Sequence, residues 1–162
     1  VALGDTVEIA FTPQINEFRG VRSVQLSLVD IRPGCVHRTL CRDDETLYLR
    51  HLGGALRPGE AADLLPARKE FVALWRYLVA HSRGGVVDDT CTCLSRKVSR
   101  YAGTPCRPGR TRICLDVFHE LGLLSLSEHQ RLLHITLTSD GRKVDLDQST
   151  IIRRLKEQKA GD

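Results

Sequence analysis

A short polar turn near the start of the chain carries an aromatic and an arginine side chain that could bind a nucleic-acid base. The turn runs from Asn16 to Arg22 within INEFRGVRSVQLSLVDIRP, residues 15–33. An exposed Phe18 would offer a π-face to any base, and Arg19 would add charge and cation–π stacking. The alternative is that Phe18 folds back onto the neighbouring strands and serves only packing.

A run of basic residues in the second half of the chain is a second candidate site for nucleic acid. No acidic residue interrupts residues 96–112, and clustered cations gain affinity for phosphates by releasing condensed counterions. The last predicted helix adds further cations against Glu157. The alternative for the basic run and for the helix is an ordinary solvent-exposed surface without a ligand. The run contains Arg96, Lys97, Arg100, Arg107, Arg110 and Arg112, and the helix contains Arg153, Arg154, Lys156 and Lys159.

Residue types used in active sites are present, but they form no recognisable motif. Asp43, Asp44 and Glu45 form one consecutive acidic run, and Asp88 and Asp89 form another. Metal-dependent nucleases and phosphatases instead need carboxylates and histidines that converge from several elements. The six histidines show no ligand spacing, and no glycine-rich phosphate loop or nucleophile elbow occurs. We therefore predict no catalytic residue in this chain.

The cysteines predict neither a metal site nor disulfides. Cys91, Cys93 and Cys106 lack the paired CxxC spacing of a zinc ribbon or finger. Without a secretory signal sequence, reduced thiols are expected. The six cysteines are Cys35, Cys41, Cys91, Cys93, Cys106 and Cys114.

The composition predicts a globular, cytoplasmic protein. The 162 residues suffice for one domain or two small ones, and 41% hydrophobic with 27% charged residues argues against disorder. The net charge of +4 is too small to indicate nucleic acid by itself. No apolar run could cross a bilayer, and no signal peptide heads the chain. Val1 at the start and the absence of methionine predict a piece of a longer protein.

The pattern in residues 1–33 predicts two β-strands. Residues 7–11 alternate apolar with polar or small side chains, and residues 23–28 repeat the alternation. Asn16 to Gly20 would form the hairpin connection. Because two strands cannot bury a core by themselves, we expect further strands of a barrel, either upstream or supplied elsewhere.

Residues 34–65 predict a connector, and residues 66–162 predict a second domain. The connector is punctuated by glycines and contains one candidate strand, TLYLRHL. In the second domain Pro66 would begin a first helix, with Trp75 in its apolar stripe. A second helix would be capped by Asp88 or Asp89 and reach about Ala102.

The remainder of the second domain predicts a third helix, a hairpin and a last helix. The third helix is GRTRICLDVFHELGLL, and RLLHITLTSDGRKVDLD would form two strands joined at Asp140–Gly141. Asp147 or Ser149 would cap the last helix. Three helices followed by a hairpin is the order of a winged-helix domain. The predicted fold class is therefore α+β.

A winged-helix domain commonly reads DNA with its third helix, but this sequence argues against that mode. The polar side of the helix carries Asp116, His119 and Glu120, and carboxylates would repel phosphates. Arg142 and Lys143 could touch a phosphate backbone as a wing, although a solvated turn is the commoner outcome. A protein-docking or purely structural role for this domain is the alternative.

The first stretch, GDTVEIAFTPQINEFRGVRSVQLSLVDIRP, resembles the end of the OB domain of the RecJ family of single-strand-DNA-specific exonucleases. In that family a strand is followed by an Asn-x-aromatic/apolar-x-Gly turn, and a strand of the type SVQL…D-I/L-R-P closes the domain. The match covers about a fifth of the chain. Residues 66–160, with PARKEF and LDVFHELGLL, look like the extra C-terminal region of some longer RecJ-like proteins. The matching residues are Val7 to Phe11, Asn16, Phe18, Gly20, Ser23 to Leu26 and Asp30 to Pro33.

The resemblance implies a parent enzyme that degrades single-stranded DNA from an end with Mn²⁺ or Mg²⁺, in DNA repair and recombination. The family's nuclease motifs are absent from this sequence, so no catalytic residue and no cofactor is carried over. The OB role of holding single-stranded DNA maps onto Asn16, Phe18, Arg19 and Arg22. We therefore expect the non-catalytic C-terminal part of such an enzyme: partial OB-type barrel strands followed by a winged-helix-like domain. The alternative is a protein-interaction module that docks a repair partner or the nuclease core.

Overall fold

A computed structural model of the chain describes residues 7–33, 35–138 and 144–160. Over these residues the chain is of the α+β class, with helices and two small antiparallel sheets. It divides into two compact units, Val1–Arg42 and Asp43–Asp162. None of the described helices is both long and apolar enough to cross a membrane.

The first unit contains a long two-stranded ribbon. Strand β1 (Val7–Phe18) pairs antiparallel with strand β2 (Val21–Pro33) along its whole length. Only Arg19 and Gly20 form the turn, with φ angles of 52° and 78°. Two positive φ values are the mark of a type I′ turn, whose twist matches that of the strands. The two predicted strands are confirmed. The longer connection from Asn16 is wrong, because Asn16 pairs with Ser23 inside the ribbon.

The ribbon has one apolar face and one polar face. Cross-strand partners share a face, and successive residues alternate between faces. The register shifts between Ala10 and Phe11, which leaves Val29 as an extra residue on β2. This bulge keeps Leu28 and Ile31 on the same side in spite of their odd spacing. The apolar face consists of Val7, Ile9, Phe11, Pro13, Ile15, Val24, Leu26, Leu28 and Ile31.

Helix α1 (Cys35–Leu52) occupies much of the predicted connector. The TLYLRHL segment lies within it, so the predicted strand there is wrong. Asp44, Leu47 and His51 are buried and Tyr48 is half-buried. Their spacing of i, i+3, i+4 and i+7 is that of one helix face. This part of α1 therefore packs by a helical stripe that includes polar residues.

The second unit combines helices with a three-stranded antiparallel sheet. The sheet order is β3-β5-β4, and its inner face packs with the helices around one core. Leu78, Ile113, Leu133 and Leu155 are fully buried there. The elements are α2 (Glu60–Leu64), α3 (Arg68–His81), β3 (Val86–Thr90), α4 (Cys91–Ala102), α5 (Pro108–Glu120), β4 (Leu124–His129), β5 (Leu132–Leu137), a 3₁₀ helix (Leu146–Gln148) and α6 (Thr150–Ala160).

The predicted helices of this unit are confirmed, with two corrections nearby. Strand β3 was not predicted, and the proposed cap at Asp88 or Asp89 is wrong because both residues lie within that strand. The hydroxyl oxygen of Thr90 caps α4 instead, accepting the N–H of Cys93 at 3.2 Å. Ser149 caps α6 as predicted, accepting the N–H of Ile152 at 3.3 Å.

The β4–β5 hairpin of this unit was not predicted, and residues 144–147 of the second predicted strand form a loop and part of a 3₁₀ helix instead. Strand β5 coincides with the first predicted strand, but its neighbours are β4 and β3. The turn between β4 and β5 is formed by Gln130 and Arg131. The predicted turn at Asp140–Gly141, with Arg142 and Lys143, lies outside the described residues.

Candidate nucleic-acid interface

The tip of the ribbon brings Phe18 and Arg19 together. The Phe18 side chain is 69% exposed, and the guanidinium carbon of Arg19 lies 5.2 Å from the centre of the Phe18 ring. Phe18 pairs with Val21 and belongs to the polar face of the ribbon. The exposure of its side chain argues against the alternative in which Phe18 folds back onto the neighbouring strands.

The other two residues predicted for the tip lie on opposite faces. Asn16 shares the polar face with Phe18, and its amide donates a hydrogen bond to Oε1 of Gln25 at 3.3 Å. Arg22 is on the other face, with its Nε 3.7 Å from Oε2 of Glu17. Phe18 thus lies directly across from the exposed Val21, and its next neighbours on this face are Asn16 and Ser23.

Arg19 adopts a backbone conformation that arginine rarely occupies. Its φ of 52° lies in the left-handed region, where a residue with a Cβ is disfavoured by about 1–2 kcal/mol. Asn-Gly is the usual pair in a turn of this type. Gln130 and Arg131 adopt the same left-handed conformation in the β4–β5 turn, so the strain at Arg19 belongs to the turn.

Helix α4 places cations beside a cluster of three aromatic rings. The ring of His81 stacks on Tyr77 at 4.2 Å, and Tyr101 meets both rings edge-on, at 5.2 Å from His81 and 5.7 Å from Tyr77. The Tyr101 side chain is half exposed, and Arg100 precedes it on the exposed side of α4. We call Tyr77, His81 and Tyr101 the aromatic cluster.

Lys97 lies one turn before Tyr101 and is anchored. Its Nζ is 2.7 Å from Oδ2 of the buried Asp89 on β3, and this hydrogen bond raises the pKa of Lys97. Arg96 lies one turn before Arg100, with a guanidinium nitrogen 3.7 Å from Sγ of Cys93. The sequence pointed to these cations. The aromatic cluster was missed because its rings come from two separate helices.

The second half of the basic run is held inside the fold, starting with Arg107. The Arg107 guanidinium forms an ion pair with the carboxylate of Asp44, with Nε 2.9 Å from Oδ1. The hydrogen bond to Asp44 raises the pKa of Arg107. The other oxygen of Asp44 accepts the backbone N–H of Gly109 at 3.2 Å. Asp44 thereby neutralises the arginine and satisfies a free N–H at the start of α5.

Arg110 is bound by the end of α2 and the start of α3. Its Nε donates to the carbonyl oxygen of Asp63 at 2.7 Å, and Nη2 donates to that of Ala62 at 3.3 Å. Nη1 lies 3.4 Å from the buried carboxylate of Glu70. These contacts leave Arg110 little capacity for a phosphate.

Arg112 belongs to a polar network that joins α1, α5 and β4. Its guanidinium contacts Asp116, Glu128 and the hydroxyl of Tyr48. The Tyr48 hydroxyl donates to Asp116 at 2.7 Å, and burial together with this bond raises the pKa of Tyr48. Burial alone would lower the pKa of Arg112, but the charges of Asp116 and its other partners outweigh it and raise that pKa.

The polar side of α5 and the start of α6 are also occupied by internal contacts. Glu120 accepts the N–H of Thr150 at 2.9 Å and the hydroxyl of Ser149 at 2.5 Å. Lys156 lies 2.5 Å from Asp147. The Asp116 and Glu120 carboxylates, which argued against DNA reading by α5, thus have structural partners. Arg153 and Arg154 are exposed on α6.

Among the described cysteines, no disulfide joins Cys41, Cys91, Cys93, Cys106 or Cys114. Burial raises the pKa of Cys91 to about 12. Among the residues that the structure describes, no three His, Cys, Asp or Glu side chains are arranged to hold a metal ion.

Comparison with protein-family models, curated proteins and solved structures found no significant match to the chain.

Proposed function

We propose that the chain is the non-catalytic C-terminal part of a RecJ-like single-stranded-DNA exonuclease and helps to hold single-stranded DNA. The ribbon would be the closing part of an OB-type barrel. The unit from Asp43 onwards would be a winged-helix-like accessory domain. The Mn²⁺ or Mg²⁺ of such an enzyme would be held by its nuclease core.

The division of the ribbon into two faces carries this proposal. Ile15 and Val24 on the apolar face are 68% and 72% exposed, and a face of this kind needs a cover of apolar side chains. The other strands of a barrel would supply that cover. Phe18, Arg19 and Asn16 would then remain outside the barrel core, next to solvent, where a single strand can reach them.

The order of elements in the second unit supports a winged-helix-like domain. Helix α3, strand β3, helices α4 and α5, and the β4–β5 hairpin follow one another, and the sheet order is β3-β5-β4. This agrees with the pattern of three helices and a hairpin. Since α5 uses its arginines and carboxylates internally, we place DNA contact on α4 and the aromatic cluster.

The proposed binding is tolerant of sequence. Bases would stack on Phe18 and Tyr101, and the nearby cations Arg19, Lys97 and Arg100 would attract the phosphate backbone. Because such attraction releases counterions, the affinity should fall steeply as the salt concentration rises.

The test is fluorescence anisotropy of a labelled oligothymidylate with the full chain at low and moderate salt. We expect salt-sensitive binding that weakens by about tenfold in Phe18→Ala and in Tyr101→Leu, since one stacked base contributes about 1–3 kcal/mol. Val79→Ala, which removes an exposed apolar side chain elsewhere on α3, is the matched control and should bind as the wild type. Absence of binding at low salt, or binding as tight as that of the wild type by both Phe18→Ala and Tyr101→Leu, would overturn the proposal.

A further inference from the structure

A large groove in the second unit has no part in the proposed DNA contact. It has a volume of about 700 Å³ and lies between α3 and the segment that runs from Val144 into α6. This volume is in the range of ligand pockets. Its lining is mainly apolar. The apolar lining includes Phe71, Val72, Trp75, Phe118, Leu146 and Ile152.

Three aromatic side chains in contact with one another line the groove. Phe71 and Trp75 both meet Phe118 edge-on, at 5.7 Å and 5.3 Å between ring centres. Trp75 is only half-buried, and Val72 on the same helix is 42% exposed. Side chains that would normally be buried thus line a surface open to a partner.

The two rims of the groove carry opposite charges. On α3, Arg68 and Arg76 stand eight residues apart, about 12 Å along the helix axis, and neither forms an ion pair with a residue that the structure describes. On the other rim, Asp147 pairs with Lys156, and the Asp145 side chain accepts the N–H of Asp147 at 3.0 Å. Within the part of the chain that the structure describes, the α3 rim therefore offers two cations without an ion-pair partner.

We propose that this groove binds a peptide segment of a protein partner that combines bulky apolar side chains with carboxylates. The apolar side chains would pack against Val72 and Trp75, and the carboxylates would meet Arg68 and Arg76 with charge complementarity. A nucleic acid fits the groove less well. Most of the lining is apolar, and a nucleic-acid backbone carries a charge at every phosphate, so it could not avoid Asp145 and Asp147 on the second rim.

Trp75 is the only tryptophan of the chain, so its emission reports directly on the groove. The experiment selects a phage-displayed random peptide library on the full chain and then measures binding of the enriched peptides, free of tryptophan, by Trp75 fluorescence. We expect enriched sequences that join bulky apolar residues to Asp or Glu and shift the Trp75 emission. Their affinity should fall at least about tenfold in Arg68→Glu/Arg76→Glu.

The matched control is Arg83→Glu/Lys159→Glu, which reverses two exposed charges away from the groove and should leave the affinity unchanged. The proposal is overturned if no peptide is enriched, if the enriched peptides show no acidic excess, or if they bind both double variants equally. It is also overturned if an oligothymidylate shifts Trp75 emission and loses this effect in Arg68→Glu/Arg76→Glu. None of these outcomes depends on Phe18 or Tyr101, so the DNA proposal stands or fails separately.

Discussion

The carboxylate of Asp44 binds both the guanidinium of Arg107 and the backbone N–H of Gly109. Asp44 is 2% exposed, and its second oxygen lies 3.2 Å from the Gly109 nitrogen. One side chain of α1 thus fixes the start of α5. In the sequence, Asp44 belongs to an acidic run and Arg107 to a basic run 63 positions later. In the structure the two residues hold α1 and α5 together.

Asp44→Ala should strongly destabilise the second unit. The substitution leaves the buried N–H of Gly109 without its acceptor, which costs about 1–3 kcal/mol, whereas Arg107 is 39% exposed and keeps Asp63 at 3.7 Å. Urea denaturation followed by circular dichroism measures the free energy of unfolding. The neighbouring Asp43→Ala, at an exposed position, should change it by less than about 0.5 kcal/mol. Equal effects of the two substitutions would contradict this role of Asp44.

Gly109→Ala should also destabilise the protein, although alanine is the better helix former by about 1 kcal/mol. A Cβ at this position would lie 3.0 Å from Cδ2 of Leu64 and 3.2 Å from the backbone oxygen of Asp44. Leu64 is fully buried, so neither neighbour can yield easily, and overpacking costs about 1–3 kcal/mol. Thermal unfolding should show a lower midpoint.

The comparison for Gly109 is Gly53→Ala. There the nearest atom to a new Cβ is the backbone oxygen of Leu49 at 3.6 Å, an ordinary contact. This substitution should leave the midpoint nearly unchanged. A higher midpoint for Gly109→Ala would mean that helix propensity outweighs the close approach.

The sequence predicts helices and strands well where apolar side chains alone show the periodicity of the element. The alternation on either side of Gly20 is enough to predict the ribbon, and the stripe around Leu74 and Leu78 is enough to predict α3. It fails where polar residues occupy buried positions. In α1 the inward face includes Asp44 and His51, so the apolar residues alone resembled a short strand.

The candidate interface could be predicted only in part, for a related reason. Charge along the sequence does not show which cations form ion pairs inside the fold. The partners of Arg107, Arg110 and Arg112 are acidic residues on other elements of the fold. The i, i+4 spacing of Tyr77 and His81 could have indicated a ring pair on α3. Nothing in the local sequence places Tyr101 beside them.

Arg19→Asn should stabilise the ribbon while weakening DNA binding. Asn tolerates the left-handed conformation and Asn-Gly is a favoured pair for a type I′ turn, so amides of β1 and β2 should exchange more slowly with deuterium. The loss of the guanidinium over Phe18 should lower the affinity for oligothymidylate by a few-fold, because an exposed cation–π contact contributes about 0.5–1 kcal/mol. If binding instead rises with the stability of the ribbon, Arg19 acts only through the turn.

His51 should make the second unit less stable in mild acid. Burial lowers the pKa of His51 below its usual value of 6.5, and Arg154 lowers it further, while Asp116 opposes both. Below about pH 6.5 His51 is protonated in the unfolded chain but stays neutral in the folded chain. The free energy of unfolding therefore decreases as the pH falls from about 6.5 to the pKa of His51 in the folded state. Urea midpoints measured across this window should decline with falling pH in the wild type and decline less in His51→Gln. The exposed His129→Gln should keep the wild-type slope, and a slope unaltered by His51→Gln would assign the acid sensitivity to other groups.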